Sequence, residues 1–467
     1  MQLLVYKEKS GNMRSKGNSQ TVYLIYFLIV FSTLTGMLYK FFSTGILRKV
    51  YIGSRVLLLA CLIFSIILEL FSYHKIYKDG LLLSAFVLYE LYISKIRGLL
   101  IWPDAFIDIL IWPLTYLFFK TYTRRNPIPC KFGKFTQISM IFVFTLSIPL
   151  VLKHRAGIGD AGGVVFFVYY CITFLPMVLY TVKDYKVKNR LFIVSILMLM
   201  LSTKRSGTIV AVIGYIIYIF NDVRVRNDIK NKLKKYQWYI FGIVLVVLLF
   251  VVLNSVFSFK IFDRFKNLSS DQGSGREYIW SYILKAFARS EENLKIFGHG
   301  FQAVYYRLKP FGVDRLAHNS FLEFLYDYGY AGIFVFSLFY FSLFGKTIKA
   351  YRKKDAKIPA MLYTLLISIV FGYTSYFFEE STIIVPIAVY WGCFVGENQR
   401  KKYKATNDRI IYRNERGLYG KKSNSKRNRL GGEQAGFQSV TGYIIPKVNV
   451  LGKNGPEIRF KKSKVVE

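Results

Sequence analysis

An all-α, polytopic membrane bundle of about twelve transmembrane helices, with one large external loop of short helices, is the fold class this sequence predicts. Three observations carry it. Of 467 residues, 53% are hydrophobic and 18% aromatic, and the mean hydropathy is positive, +0.31. The apolar residues fall in repeated runs close to the roughly 20 residues a helix needs to cross a bilayer. The alternating segments of about ten residues that mark a membrane barrel are missing, which leaves helices as the structure that satisfies its own backbone in lipid.

Taken in order, the predicted spans lie near 21–40, 55–72, 80–94, 99–119, 135–152, 162–181, 191–203, 206–221, 238–256, 330–345, 358–378 and 381–396. Residues 1–20 are polar and basic, a cytoplasmic N-terminus. The run beginning at Thr21 is long and lacks a small-residue cleavage site, so it reads as a retained first helix and not as a removed signal. Helices 1–9 occupy 21–256, the external loop 257–329, helices 10–12 330–396, and a basic, disordered cytoplasmic tail 397–467.

The formal net charge of +38 would ordinarily suggest nucleic acid. Here the excess sits in short loops and in the tail, where topology explains it better, and no nucleic-acid partner is expected. The basic clusters at 120–134, 183–190, 221–235 and 346–357 share one side with both termini, while Glu379 and Glu380 fall on the other. Both termini are therefore predicted cytoplasmic; Arg48 and Lys49, in the first external loop, run against the pattern. From Arg400 to Glu467 there are 18 Lys/Arg against 5 Asp/Glu, a composition of solvated chain that also suits anionic inner-leaflet lipid. Cys61, Cys130, Cys171 and Cys393 show no metal-ligand or pairing pattern, so no disulfide and no metal site is expected of them.

The external loop is the natural place for a site, because long connections in compact proteins tend to be functional or disordered. It holds two amphipathic-looking stretches, "REYIWSYILKAF" and "FLEFLYDY". His318, one of four histidines, stands where this loop turns into an apolar run, wet enough to exchange protons and close enough to lipid to meet a lipid-borne substrate. Histidine titrates near neutrality, as a general base should. Glu323 and Asp327 share a helix face at i,i+4. Five residues along a helix leave His318 and Glu323 about 140° apart, so a direct pairing is not implied.

Arg205, with Lys204, lies in a very short external turn between two apolar runs, against the positive-inside trend; boundary charges of this kind are costly and usually functional. Snorkelling to headgroups is the alternative. Arg276 follows two glycines and precedes Tyr278 and Trp280, aromatics suited to sugar faces; a plain surface charge is the alternative. Arg289, Arg307 and Arg315 are loop charges read first as solvated, with Arg307 retained among the substrate contacts. His154 and Arg155 adjoin the Gly-rich 156–163 and could line the same cavity. Asp104 and Asp108 share a face of the fourth span, placed to bind sugar hydroxyls or to pair with an arginine. Tyr305 and Tyr306 read as packing or interfacial aromatics.

The pattern of His318–Asn319, nine residues, then Gly329-Tyr-Ala-Gly332 resembles the signature of the bacterial O-antigen ligase and O-antigen polymerase superfamily. "STKRSG" (202–207), "GSGREYIW" (273–280) and "IFGHGF" (296–301) resemble further elements of that family in the right order. The resemblance covers about 200–345, and the long basic tail departs from it. It implies a glycosyltransferase, a polymerase joining undecaprenyl-pyrophosphate-linked oligosaccharide repeats into O-antigen or capsular polysaccharide, or else a ligase moving lipid-linked polysaccharide to lipid A-core. It implies a site at the outer face of the cytoplasmic membrane, the bilayer and a lipid-linked oligosaccharide as partners, a chain-length regulator protein as a further partner, and no cofactor. His318, Arg205 and Arg276 are then the expected catalytic residues. Lys204, Trp280, Arg307, Asn319, Glu323 and Arg155 are expected to bind substrate, without metal. With no DxD element in the loop, arginines would hold the pyrophosphate, their planar forks matching it. A lipid-linked oligosaccharide transporter is the reading from another class; it would need inverted repeats and midplane charges.

Overall fold

The computed structural model describes residues 2–73, 78–97, 103–155, 169–202, 205–225, 276–309, 316–403 and 405, with scattered positions between 236 and 255. Within these, the side chains of 2–18, 69–73, 78–79, 103–105, 154–155, 205 and 222–225 are not described. Among the described residues the structure is helical, with no strand. In order come α1 (Gln2–Phe42), α2 (Gly45–Tyr73), α3 (Lys78–Ile96), α4 (Pro103–Arg125), α5 (Phe132–Arg155), α6 (Tyr169–Thr181), α7 (Tyr185–Leu201) and α8 (Arg205–Val225). Three short helices follow, α9 (Arg276–Ala288), α10 (Glu292–Phe297) and α11 (Ala303–Leu308), then α12 (Ser320–Arg352), α13 (Ile358–Thr374) and α14 (381–403).

Among the described residues, four stretches are long and apolar enough to cross a membrane: Ser19–Phe42, Gly45–Leu68, Phe132–Lys153 and Ser320–Arg352; Tyr169–Thr181, Ser206–Asn221 and Ile358–Thr374 are shorter apolar helices. These helices make it a multi-pass membrane protein; the predicted spans at 99–119, 162–181 and 238–256 fall partly outside the described residues. The two amphipathic stretches read from the sequence both fold as helix, the first as α9 and the second as the opening of α12. The basic tail beyond residue 405 lies outside the described residues.

Local chemistry explains several boundaries. Asp184 caps α7, its carboxylate accepting the Lys186 N–H at 2.8 Å, and Pro359 stands in the first turn of α13, where its missing donor costs nothing. Gly392 and Gly396, one turn apart on α14, let that helix lie on the backbone of α4. A Cβ at Gly392 would come within 2.6 Å of the Tyr116 carbonyl oxygen, and one at Gly396 within 2.2 Å of that of Lys120. This is the small-residue packing that membrane helices use for close approach.

Most buried apolar side chains form one core running through α1–α8 and α12–α14. A second, smaller cluster (Ile283, Phe287, Val304, Leu308, Ala317, Leu322, Tyr326) ties α9 and α11 to the start of α12. All three short helices pack on α12, so the segment leading to His318 is built against the helix that follows it.

Candidate active site around the His318 turn

Three extended connections meet at one place: the turn Leu316–Asn319 before α12, the link Ser375–Glu380 after α13, and the first turn of α8. Asn319 caps α12, with extended backbone (φ −146°, ψ 97°) and its Oδ1 accepting the Leu322 N–H at 3.1 Å. One residue earlier, His318 has left-handed backbone, φ +53°, unusual for a residue other than glycine. Its N–H donates to Glu323 Oε1 at 3.0 Å. The pairing that helical geometry argued against is made through the backbone, because His318 precedes the helix and turns back over it.

Ser320 stitches this turn to the end of α13. Its N–H and hydroxyl both donate to the Ser375 carbonyl, at 3.2 and 3.0 Å, and its Oγ accepts the Phe377 N–H at 2.6 Å. From the other side, Arg276 donates from Nη1 to the Thr374 carbonyl at 2.8 Å. One helical turn along α9, the Trp280 indole N–H donates to the Ala317 carbonyl at 2.7 Å, its ring edge-on to Tyr373 at 5.4 Å. Tyr278, by contrast, is 78% exposed.

Tyr169 completes the convergence. Its hydroxyl lies within reach of Ser375 and of Ser206, in the first turn of α8, and it feels the charge of Arg276. The structure therefore brings Arg276, Trp280, His318 and Asn319 together around Thr374–Phe377, with the backbone of Arg205 opening the helix alongside. The side chains of Arg205 and Arg155, and all of Lys204 and Arg315, lie outside the described residues. Arg307 lies on α11, its guanidinium 6.0 Å from the Tyr282 ring centroid.

The glycine-rich element has a backbone explanation. Gly329 interrupts α12 with φ +63°, ψ −169°, a region reserved in practice for glycine. The kink turns carbonyls out of the helix, and the 298–300 strip takes them up. His299 N–H donates to Tyr326 O at 3.1 Å and Gly300 N–H to Asp327 O at 2.7 Å, while the Tyr89 hydroxyl serves Tyr328 O at 2.8 Å. The His299 ring stacks on Tyr326 at 4.1 Å and its Nδ1 donates to the Tyr326 carbonyl at 3.0 Å; Nε2 lies 3.1 Å from Ser290 Oγ. Burial holds the His299 pKa below the usual histidine value.

Sequence reasoning missed what lies beneath the turn. Glu90 (3% exposed), Glu323 (1%), Asp327 (1%) and Glu379 (4%) form a buried carboxylate cluster, drawn from α3, α12 and the 375–380 link. Asp327 Oδ1 accepts the Val304 N–H at 3.0 Å, and Glu379 Oε2 accepts the Tyr376 hydroxyl at 2.7 Å. The Tyr328 hydroxyl lies within hydrogen-bonding reach of Glu90 and Glu379, while Glu323 Oε2 and Asp327 Oδ2 have no hydrogen-bond partner. Next to it is a mixed network. Asp108 pairs with Arg55, which donates to Ser381 Oγ at 3.0 Å, and Lys40 pairs with Glu380 at 3.0 Å. Of the two options for Asp108, the structure contains the arginine pair. The consecutive glutamates of "FFEE" were the available signal: Glu379 faces the acidic cluster and Glu380 the basic one. Among the described residues, no group of three or more His, Cys, Asp or Glu side chains is arranged to hold a metal ion.

Residues 191–337 match the family model described as O-antigen ligase. The match covers less than half of the chain and is a similarity to that family. It spans α7 to the middle of α12 and so contains Arg205, Arg276, Trp280, His318, Asn319 and Glu323. No curated protein matches the chain.

Proposed function

We propose that this protein is a polymerase that joins polyprenyl-pyrophosphate-linked oligosaccharide repeats at the outer face of the bacterial cytoplasmic membrane. The observation that carries the reading is that Arg276, the His318 turn and the start of α8, all inside the family-matched segment, converge on Thr374–Phe377. Both termini are cytoplasmic in this reading, and the 257–329 loop is external.

Arg276 and Arg205 hold the donor pyrophosphate. Arg276 is anchored by its bond to Thr374 O, which fixes the plane of a guanidinium suited to bidentate phosphate binding. His318 takes the proton from the acceptor sugar hydroxyl as its oxygen bonds to the anomeric carbon. The bond from that carbon to the phosphate oxygen breaks, and polyprenyl pyrophosphate leaves with the electron pair, stabilised by the arginines. A single displacement inverts the anomeric centre. Glu323, sealed under the turn, positions His318, and Trp280 braces Ala317.

A ligase that delivers the glycan to lipid A-core is the second reading, favoured by the description of the matched family. A deletion strain separates the two. Loss of long polymer with one repeat still attached marks a polymerase, and full-length lipid-linked polymer left unattached marks a ligase. Complementation with His318→Ala or Arg205→Ala is expected to lose about 100-fold or more in transfer, the scale of a missing general base or charge clamp. Normal glycan from both variants at normal protein levels would overturn the assignment.

A further inference from the structure

We propose that Glu379 is a positioning residue for His318 that acts through Glu323: as a neutral acid it keeps the buried carboxylate cluster dry and closed, and its ionisation loosens the His318 turn. The inference rests on the reading that His318 faces the acceptor.

The geometry runs in two short steps. His318 N–H is held by Glu323 Oε1, and a charge on Glu379 raises the cost of one on Glu323. The link that carries Glu379 is tied to the start of α12 by the Phe377 N–H bond to Ser320 Oγ at 2.6 Å, and Glu323 is anchored only on its Oε1 side, since Oε2 has no partner. The left-handed backbone of His318 needs that hold, because αL is a costly conformation for a residue with a Cβ.

Among the described residues, acids and phenols face Glu379. From α12, Glu323, Asp327 and Tyr328 face Glu379; from α3, Glu90 does; from its own link, Tyr376. Asp108 of α4 also contributes negative charge. The nearby cations, Lys40 and Arg55, pair with Glu380 and Asp108. Buried carboxylates without a cation cannot all ionise. Burial pushes the Glu379 pKa up to about 8, despite the opposing Tyr376 hydrogen bond. Glu379 therefore keeps its proton at neutral pH and releases it to solvent as pH rises, leaving one negative charge in the cluster.

The sign of the effect follows. In an opened cluster Glu379 would ionise near the ordinary glutamate value of about 4.3, and in the closed cluster near 8. The closed form binds the extra proton, so its advantage is greatest at low pH and declines between these values. Above both it is level. One proton corresponds to a tenfold change in the opening equilibrium per pH unit.

Hydrogen exchange on full-length protein in detergent micelles tests this, read at the peptide covering Ala317–Asn319 and corrected for intrinsic exchange. Wild-type protection there is expected to fall at least about tenfold per pH unit between pH 5 and 8 and to level off above. Glu379→Gln, permanently neutral, should shallow that slope by about tenfold per unit. Glu323→Ala, lacking the acceptor, should show low protection throughout. Flat wild-type protection from pH 5 to 8, or a Glu379→Gln slope equal to wild type, overturns the proposal. Glycan transfer assayed over the same range should extend to higher pH in Glu379→Gln. If no variant or wild type transfers glycan, the functional reading fails while the exchange result stands; transfer with flat exchange sinks this inference alone.

Discussion

Gly329 offers the sharpest test of how the site is built. Its φ of +63° with ψ −169° lies where residues with a Cβ do not go, and occupying it costs of order 1–3 kcal/mol in backbone strain. Space makes matters worse. A Cβ there would sit 2.5 Å from Ile296 O, 2.6 Å from Gly298 N and 2.7 Å from Ile296 C. All three are backbone atoms of the strip that takes up the carbonyls of Tyr326 and Asp327, so none can rotate away. Gly329→Ala must move that strip, with the hydrogen bonds from His299 and Gly300 lengthened or lost. Losing one or two of them adds about 1–3 kcal/mol, for a total of about 2–6 kcal/mol. At about 2 °C per kcal/mol, apparent Tm in detergent should drop by about 4–12 °C. Gly345→Ala, on the same helix, is the control: a Cβ there meets nothing within 4 Å, and helix propensity predicts a gain of up to about 1 kcal/mol. If both variants melt like wild type, the account of the kink is wrong.

Two further predictions probe the turn and the strip. Ser320→Ala removes the acceptor of the buried Phe377 N–H and one donor to Ser375 O; it should cost about 1–3 kcal/mol in thermal stability and reduce glycan transfer, while Ser320→Thr should recover part of both. His299, held below its ordinary pKa by burial, favours its neutral form when folded. Its contribution is present above about pH 6.5 and is lost as pH falls through that value. Melting temperatures between pH 7.5 and 5 should show this acid loss in wild type and less of it in His299→Gln.

The helical class was legible because hydropathy over twenty residues is a coarse and strong signal, and so was the doorway histidine, because its neighbours along the chain fix its setting. What the sequence concealed has a common physical origin. Helical spacing placed His318 and Glu323 apart, yet they meet because an αL residue ahead of a cap breaks the helical phase. The "FFEE" pair served as a topology marker, whereas the two side chains leave the backbone in opposite directions and enter chemically opposite pockets. Glu90 and Arg55 sat unremarked within apolar runs, since a charge inside a helix gains meaning only from the side chain it meets on another helix. Arg307 lies on α11 beside Tyr282, a neighbour that its place in the chain does not announce.

The arrangement also explains why so much of this site is backbone. Helix α13 ends at Thr374 with carbonyls unclaimed within the helix, as every helix does. Here two of them are taken by side chains from distant segments, Thr374 O by Arg276 and Ser375 O by Ser320. A single helix end thus sets the spacing between the arginine and the histidine turn. Small shifts of α13 would carry both together, so substitutions at this helix end should alter transfer without touching a charged side chain. Glu379 stands just past that end, on the link that Ser320 ties to the turn carrying His318, so a variant that shifts this link should be read in transfer and in the exchange of Ala317–Asn319 together.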